Sequence, residues 1–221
     1  MKLLLLALAP VCIIAVYVYL RDKYEKEPIP LLMKSMGAGA LIVLPIILIE
    51  KAFMAVMPVM PQPGEALYTA FLVAAFTEES FKFIALYVLI WQNKNFNEKF
   101  DGIVYAVFVS LGFAAIENIM YVFQHGEMTG YVRMLVSVPG HAIFGITMGY
   151  YFGLAKFYYK HRRMLLIRAI LYPIILHGVF DFILMLGNKR LLLLFIPYVV
   201  YLYFDGLKRM KNLSLRSIYR K

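Results

Sequence analysis

Apolar residues run along this chain in seven long stretches, roughly Leu3 to Leu20, Ser35 to Met57, Ala66 to Gln92, Gly102 to Gln124, Val132 to Ala155, Ala169 to Leu186 and Leu191 to Leu207. Each is long enough to cross a bilayer as a helix at 1.5 Å per residue. Charged residues and turn formers gather between them, in RDKYEKEPIP, MPVMPQPGE, NKNFNEKFD, QHGEMTG, KFYYKHRR and GNKR. Connections this short and this polar predict an all-α, polytopic transmembrane helix bundle of about seven spans, with residues 1–221 as a single integral-membrane domain. The opening MKLLLLALAP has an Ala-x-Ala pattern at Ala7 and Ala9, as a cleavable signal would. Its apolar core before that point is short and Pro10 would follow the cut, so an uncleaved first helix is expected.

Composition sharpens the class. Hydrophobic residues make up 62% of the chain and charged ones 16%, with a mean hydropathy of +0.73. Soluble domains carry about 25% charged residues, so a water-soluble globule is excluded. The one cysteine, Cys12, rules out an intramolecular disulfide and a cysteine-rich metal site, and is expected to be a buried hydrophobe. Sixteen Lys and Arg fall in alternate connections and the tail (Arg21, Lys23, Lys26 and Lys34; Lys94 and Lys99; Lys156, Lys160, Arg162 and Arg163; then Lys208 to Lys221), whereas Lys2, Arg133, Lys189 and Arg190 fall on the other side. The positive-inside rule therefore predicts an outer N-terminus and a cytoplasmic C-terminus. The net charge of +10 then follows from topology and attraction to anionic membrane lipids, and calls for no nucleic acid.

Against that apolar background, five polar residues interrupt two spans: Glu78, Glu79 and Lys82 in the third, His177 and Asp181 in the sixth. An ionised side chain at mid-helix costs roughly 2.5–3.5 kcal/mol on the insertion scale, which marks a functional site by default. With the orientation above, Glu78 and Glu79 lie near mid-membrane, while Glu117 and Asn118, His141, His177 and Asp181 lie toward the outer half, so four helices are expected to converge on one pocket. Lys82 is one turn from both glutamates and His177 one turn from Asp181. Ser137, His141, Gly145, Gly149 and Gly153 recur every four residues, a small-residue ridge that lets a neighbouring helix approach and turns His141 inward. Glu50 and Lys51 read as interfacial, His125 and His161 as loop residues without signal, and Tyr87 and Trp91 as interface anchors.

Several chemistries suit such a cluster. Two adjacent carboxylates in low dielectric do not both ionise easily, which leaves an acid beside a base, suited to activating water. A histidine oriented by a carboxylate can donate to a developing oxyanion or bind a metal. Nucleophilic serine or cysteine catalysis lacks support, with no G-x-S-x-G, no evident base for Ser80, and Cys12 remote from every histidine. The H-E-x-x-H of zincins is also absent. Two other classes compete. A proton- or ion-coupled transporter would use the intramembrane Glu, His and Asp as a relay, though no internal repeat is evident. A receptor or scaffold would bind a partner helix through the glycine ridge, which leaves Glu79 unexplained. An ion-pair clamp is the purely structural reading of Glu78 with Lys82.

Three segments together resemble a family. Glu78-Glu79-Ser80-Phe81-Lys82 fits E-E-x-x-K, Phe113 to Glu117 fits F-x-x-x-E, and His177 to Asp181 fits H-x-x-x-D. In this order on successive helices they resemble the PrsW family of bacterial membrane proteases, and more distantly the type II CAAX prenyl proteases; His141 matches a further histidine of that wider group. The resemblance implies a multi-pass protease of the bacterial cell membrane that makes the first, extracytoplasmic cut in a single-span anti-sigma factor, leading to sigma-factor release under envelope stress. It implies water activation by Glu78 and Glu79 with Lys82 setting their charge, and orienting or oxyanion roles for Glu117, His141, His177 and Asp181. Whether a metal such as zinc joins them stays open at this level, since two histidines and several carboxylates are a possible donor set.

Overall fold

A computed structural model describes residues 1–220 and resolves them into helices joined by short turns. The helices are α1 (Lys2–Arg21), α2 (Ile29–Leu41), α3 (Val43–Ala55), α4 (Gln62–Leu67), a π-helical segment (Tyr68–Phe76), α5 (Thr77–Ile90), α6 (Asp101–His125), α7 (Glu127–Leu135), α8 (Ser137–Phe157), α9 (Arg162–Leu186) and α10 (Lys189–Leu215). Six runs are long and apolar enough to cross a membrane by length and composition, and a seventh helical run, 62–90, forms where the π-helical segment links α4 to α5. The all-α bundle expected from hydropathy is therefore the fold.

Local chemistry sets the boundaries. Pro28 caps α2 in an extended conformation, and Pro61 does the same for α4, each where a missing N–H costs nothing. Gly126 at φ 83° separates α6 from α7, and Gly187 at φ 58° ends α9 in the left-handed conformation that glycine adopts without strain. The fifth apolar stretch departs from expectation. It divides at Val136 into the amphipathic α7, packed on α1 and α6, and the buried α8, because Arg133 is drawn to Glu117 and Asn118 on α6 and Glu127, at the start of α7, to Lys2 on α1. His125 is the last residue of α6, and His161 the last of a short 3-10 turn, Tyr159–His161, between α8 and α9, so neither is a loop residue.

Helices α6 and α8 form the centre, with α1, α2, α5, α9 and α10 around them. The predicted ridge is the reason they pack so closely: Gly145 faces Ala106 and Ser110, Gly149 faces Gly102 and Ile103, and Gly153 faces the Lys99 backbone. A Cβ built on Gly149 would stand 2.5 Å from Ile103 Cα, closer than any real contact. Gly149→Val is accordingly expected to cost about 3 kcal/mol by overpacking, read as a lower thermal midpoint in detergent; an unchanged midpoint would mean that α6 and α8 are not held together there. Trp91, half-buried at the end of α5, stacks on Tyr87 at 5.1 Å and packs on Phe152 at 5.2 Å, so it is also tied to the core.

The outer surface is apolar, with Leu48, Val88 and Leu193 each about 70–80% exposed, as acyl chains require. Cys12 belongs to that surface: it is exposed rather than buried, because α1 turns Ala7, Pro10, Val11 and Val18 to the bundle and Cys12 away from it.

Candidate active site

Directly after the π-helical segment, the first turns of α5 present Glu78, Glu79 and Lys82 to the bundle interior, all at most 5% exposed. The π-helical turn makes this placement possible, since an extra residue per turn shifts the face that follows it, and such segments recur at functional sites. Lys82 Nζ donates to Glu78 Oε2 at 3.0 Å and to Glu79 Oε1 at 2.8 Å, and lies 4.1 Å over the Phe113 ring. The phenylalanine of the second motif thus has a role of its own, as an aromatic face for a buried ammonium.

Helix α8 contributes His141, whose Nδ1 is 3.3 Å from Lys82 Nζ and whose Nε2 is 2.9 Å from Glu117 Oε2 on α6. Helix α9 contributes His177, with Nδ1 3.0 Å from Glu79 Oε1 and Nε2 3.3 Å from Asp181 Oδ2. The two imidazoles stand nearly perpendicular, 5.5 Å between centroids, each with Nδ1 turned toward the glutamates and Nε2 on an outer carboxylate. Phe144 stacks on His177 at 4.8 Å and Phe113 meets His141 edge-on at 5.4 Å, which fixes both rings. All seven residues singled out in the sequence meet here.

Two residues of this region escaped the sequence reading. Arg133 on α7 donates to Glu117 Oε2 at 2.6 Å and to Asn118 Oδ1 at 2.9 Å, while Asn118 Nδ2 donates to the Ala7 carbonyl on α1. Glu50 is not merely interfacial: it lines a cavity of about 740 Å³ together with Glu78, Glu117 and Asp181. A single arginine sixteen residues from its partner and an acid near a span end carry no spacing signal, so neither could be found by periodicity. A smaller cavity of about 180 Å³ is lined by Glu78, Glu117, Arg133, His141, His177 and Asp181. Glu78 lines both cavities and Glu79 neither; Ser80 lines neither as well.

A metal ion fits this donor set. Glu78, Glu79, His141 and His177 each offer a ligand atom within 4.8 Å of the others. Glu79 Oε2 is buried without a hydrogen-bond partner, and both histidines carry a carboxylate on the second nitrogen, as metal-binding histidines commonly do. Two imidazoles with carboxylates suit zinc. The Lys82 ammonium stands among the same groups and already balances part of their charge.

Comparison with known proteins settles the class. The family described as "PrsW family intramembrane metalloprotease" matches residues 27–204. The chain belongs to the PrsW family. It is 39% identical to Protease PrsW of Clostridioides difficile over 99% of this chain and 95% of that one. Identity to Protease PrsW of Oceanobacillus iheyensis is 37%, covering 99% of both chains, and to that of Bacillus subtilis 36%, covering 93% and 92%. No solved structure matches. The protein is therefore an intramembrane peptide hydrolase, a multi-pass bacterial membrane protein that acts on a protein substrate, and the transporter reading is not favoured.

Proposed function

We propose that the Glu78–Glu79–Lys82–Glu117–His141–His177–Asp181 cluster is the catalytic centre of this PrsW-family protease, and that it makes the first cut in a single-span anti-sigma factor on the extracytoplasmic side. The observation that carries the reading is the meeting of α5, α6, α8 and α9 on one buried glutamate–histidine cluster beside a cavity large enough for a peptide segment. The charge asymmetry of the connections supports an outer-half location.

In this mechanism Glu78, which faces both cavities, accepts the proton of the attacking water and later returns it to the leaving amine. Glu79 acts as the positioning carboxylate, holding Lys82 and His177. Asp181 and Glu117 orient His177 and His141 through their Nε2 atoms, and the Lys82 ammonium balances the charge developing on the carbonyl oxygen. His141, His177 and Glu79 would hold a zinc ion, which when bound supplies Lewis-acid polarisation of the carbonyl and a more acidic water.

Arg133→Ala leaves Glu117 without its second donor and is expected to lower cleavage by about 10–100-fold with a smaller effect on stability, since the pair is partly exposed. Cleavage at the wild-type rate would remove Arg133 from the site. The substrate assignment is tested by co-expression with an epitope-tagged single-span anti-sigma factor in cells lacking the downstream protease. A shortened fragment in wild type and intact substrate with His177→Ala is expected; an intact substrate in both lanes, from a wild-type protein that cuts another membrane substrate, would reject the anti-sigma factor.

A further inference from the structure

A second cluster of acids lies at the other end of α6. Asp101 begins that helix, sixteen residues before Glu117 and so about 24 Å from the active site along the axis. Around it gather Asp22, Glu25 and Glu27 from the α1–α2 connection and Asn97 and Glu98 from the α5–α6 connection. Five of the thirteen acids in the chain are here, in a protein of net charge +10, and among the described residues none of the five forms an ion pair with Lys, Arg or His. The nearby lysines look elsewhere: Lys26 donates to the Tyr19 carbonyl and Lys99 lies over the Tyr158 ring.

Acids alone do not make a site, but their oxygens are also orphaned. Asp22, Glu27 and Asp101 are at most 2% exposed, yet Asp22 Oδ1, Glu27 Oε1 and Asp101 Oδ1 have no donor, and the same holds for Glu25 Oε2 and for the neutral amide oxygen of Asn97. The opposite oxygens are the ones in use. Glu27 Oε2 takes the Tyr105 hydroxyl, and Asp101 Oδ2 takes the backbone N–H groups of Asn97 at 2.9 Å and Glu98 at 2.7 Å. The carboxyls are thus anchored on one side and left unsatisfied on the other, and Glu25, Glu27 and Asp101 each offer an oxygen within 4.8 Å of the other two. Buried carboxyls in this state are balanced either by protons or by a cation, and no side chain supplies the cation.

We propose that this cluster binds a hard divalent cation of the Mg2+ or Ca2+ class, with Glu25, Glu27 and Asp101 as its carboxylate ligands. All-oxygen donors without nitrogen or sulfur select these ions over zinc. The ion clips the α1–α2 connection to the start of α6 and, through Glu98 and its 2.5 Å hydrogen bond from Ser217, to the end of the chain beyond α10. It is separate from the glutamate–histidine centre and independent of how that centre works.

The test uses Mn2+ as an electron-paramagnetic probe on the purified full chain in detergent. Wild type is expected to bind Mn2+ at least tenfold more tightly at this site than Asp101→Asn, a variant that keeps the acceptor for Asn97 and Glu98. Active-site donors are the same in both proteins, so the difference reads this cluster alone. Displacement by Mg2+ or by Ca2+ at the lower concentration then tells which ion fits. As a second measure that does not rely on Asp101→Asn folding, saturating Mg2+ or Ca2+ is expected to raise the wild-type thermal midpoint by about 5 °C and to leave that of Glu25→Gln unmoved. Equal Mn2+ binding by wild type and variant, or a wild-type midpoint insensitive to both ions, would overturn the proposal and leave protons shared between carboxyls as the means of balancing this charge.

Discussion

Glu78→Gln is expected to reduce peptide cleavage by about 10³-fold while the protein still inserts and folds. Glutamine keeps the size of the side chain and an acceptor for Lys82 Nζ, which also retains Glu79 at 2.8 Å. What disappears is the proton acceptor facing both cavities, and loss of a general base commonly costs 10²–10⁴-fold in rate. Comparing initial cleavage rates at matched amounts of folded protein measures the effect. Retention of more than a tenth of the wild-type rate would transfer the role to another group, Glu79 first among them.

Lys82→Met is expected to have the largest effect on stability, about 3–5 kcal/mol, together with loss of activity. The ammonium is the one Lys or Arg cation within ion-pair distance of Glu78 and Glu79 among the described residues, and removing one side of a buried pair leaves carboxylates without compensation. Thermal unfolding in detergent provides the measurement. The triple variant Glu78→Gln, Glu79→Gln, Lys82→Met separates the two effects: it is expected to regain most of the lost stability and none of the activity. If Lys82→Met alone unfolds at the wild-type temperature, His177 or a bound metal already balances the glutamates and Lys82 does not.

The fold was largely legible because hydrocarbon imposes a simple rule: long apolar stretches, short polar connections, and glycines where helices touch. Each expected stretch is helical, though the second divides into α2 and α3 and the fifth into α7 and α8, and α10 runs on to Leu215, since an amphipathic end outlasts the apolar window that reveals it. The site was legible for the same reason, as polar groups in hydrocarbon stand out. Residues at helix ends do not stand out in that way. Arg133 and Glu50 sit where charge is ordinary, and only packing brings them to Glu117 and to the shared cavity. The π-helical segment Tyr68–Phe76 was equally hidden, because its largely apolar residues read alike in either helix type. In the sequence the carboxylates around the start of α6 read as connection charges, and their burial follows from the way two connections fold over one helix end.

The most direct test of the account is cleavage of a tagged single-span membrane substrate by purified protein reconstituted in lipid vesicles, with wild type and Glu78→Gln side by side. The account predicts a discrete fragment from wild type and intact substrate from the variant, with both proteins sharing one unfolding profile within the small cost of the exchanged pair. Fragment formation at equal rates by the two proteins would contradict it, because the glutamate–histidine cluster would then not be where the peptide bond is broken.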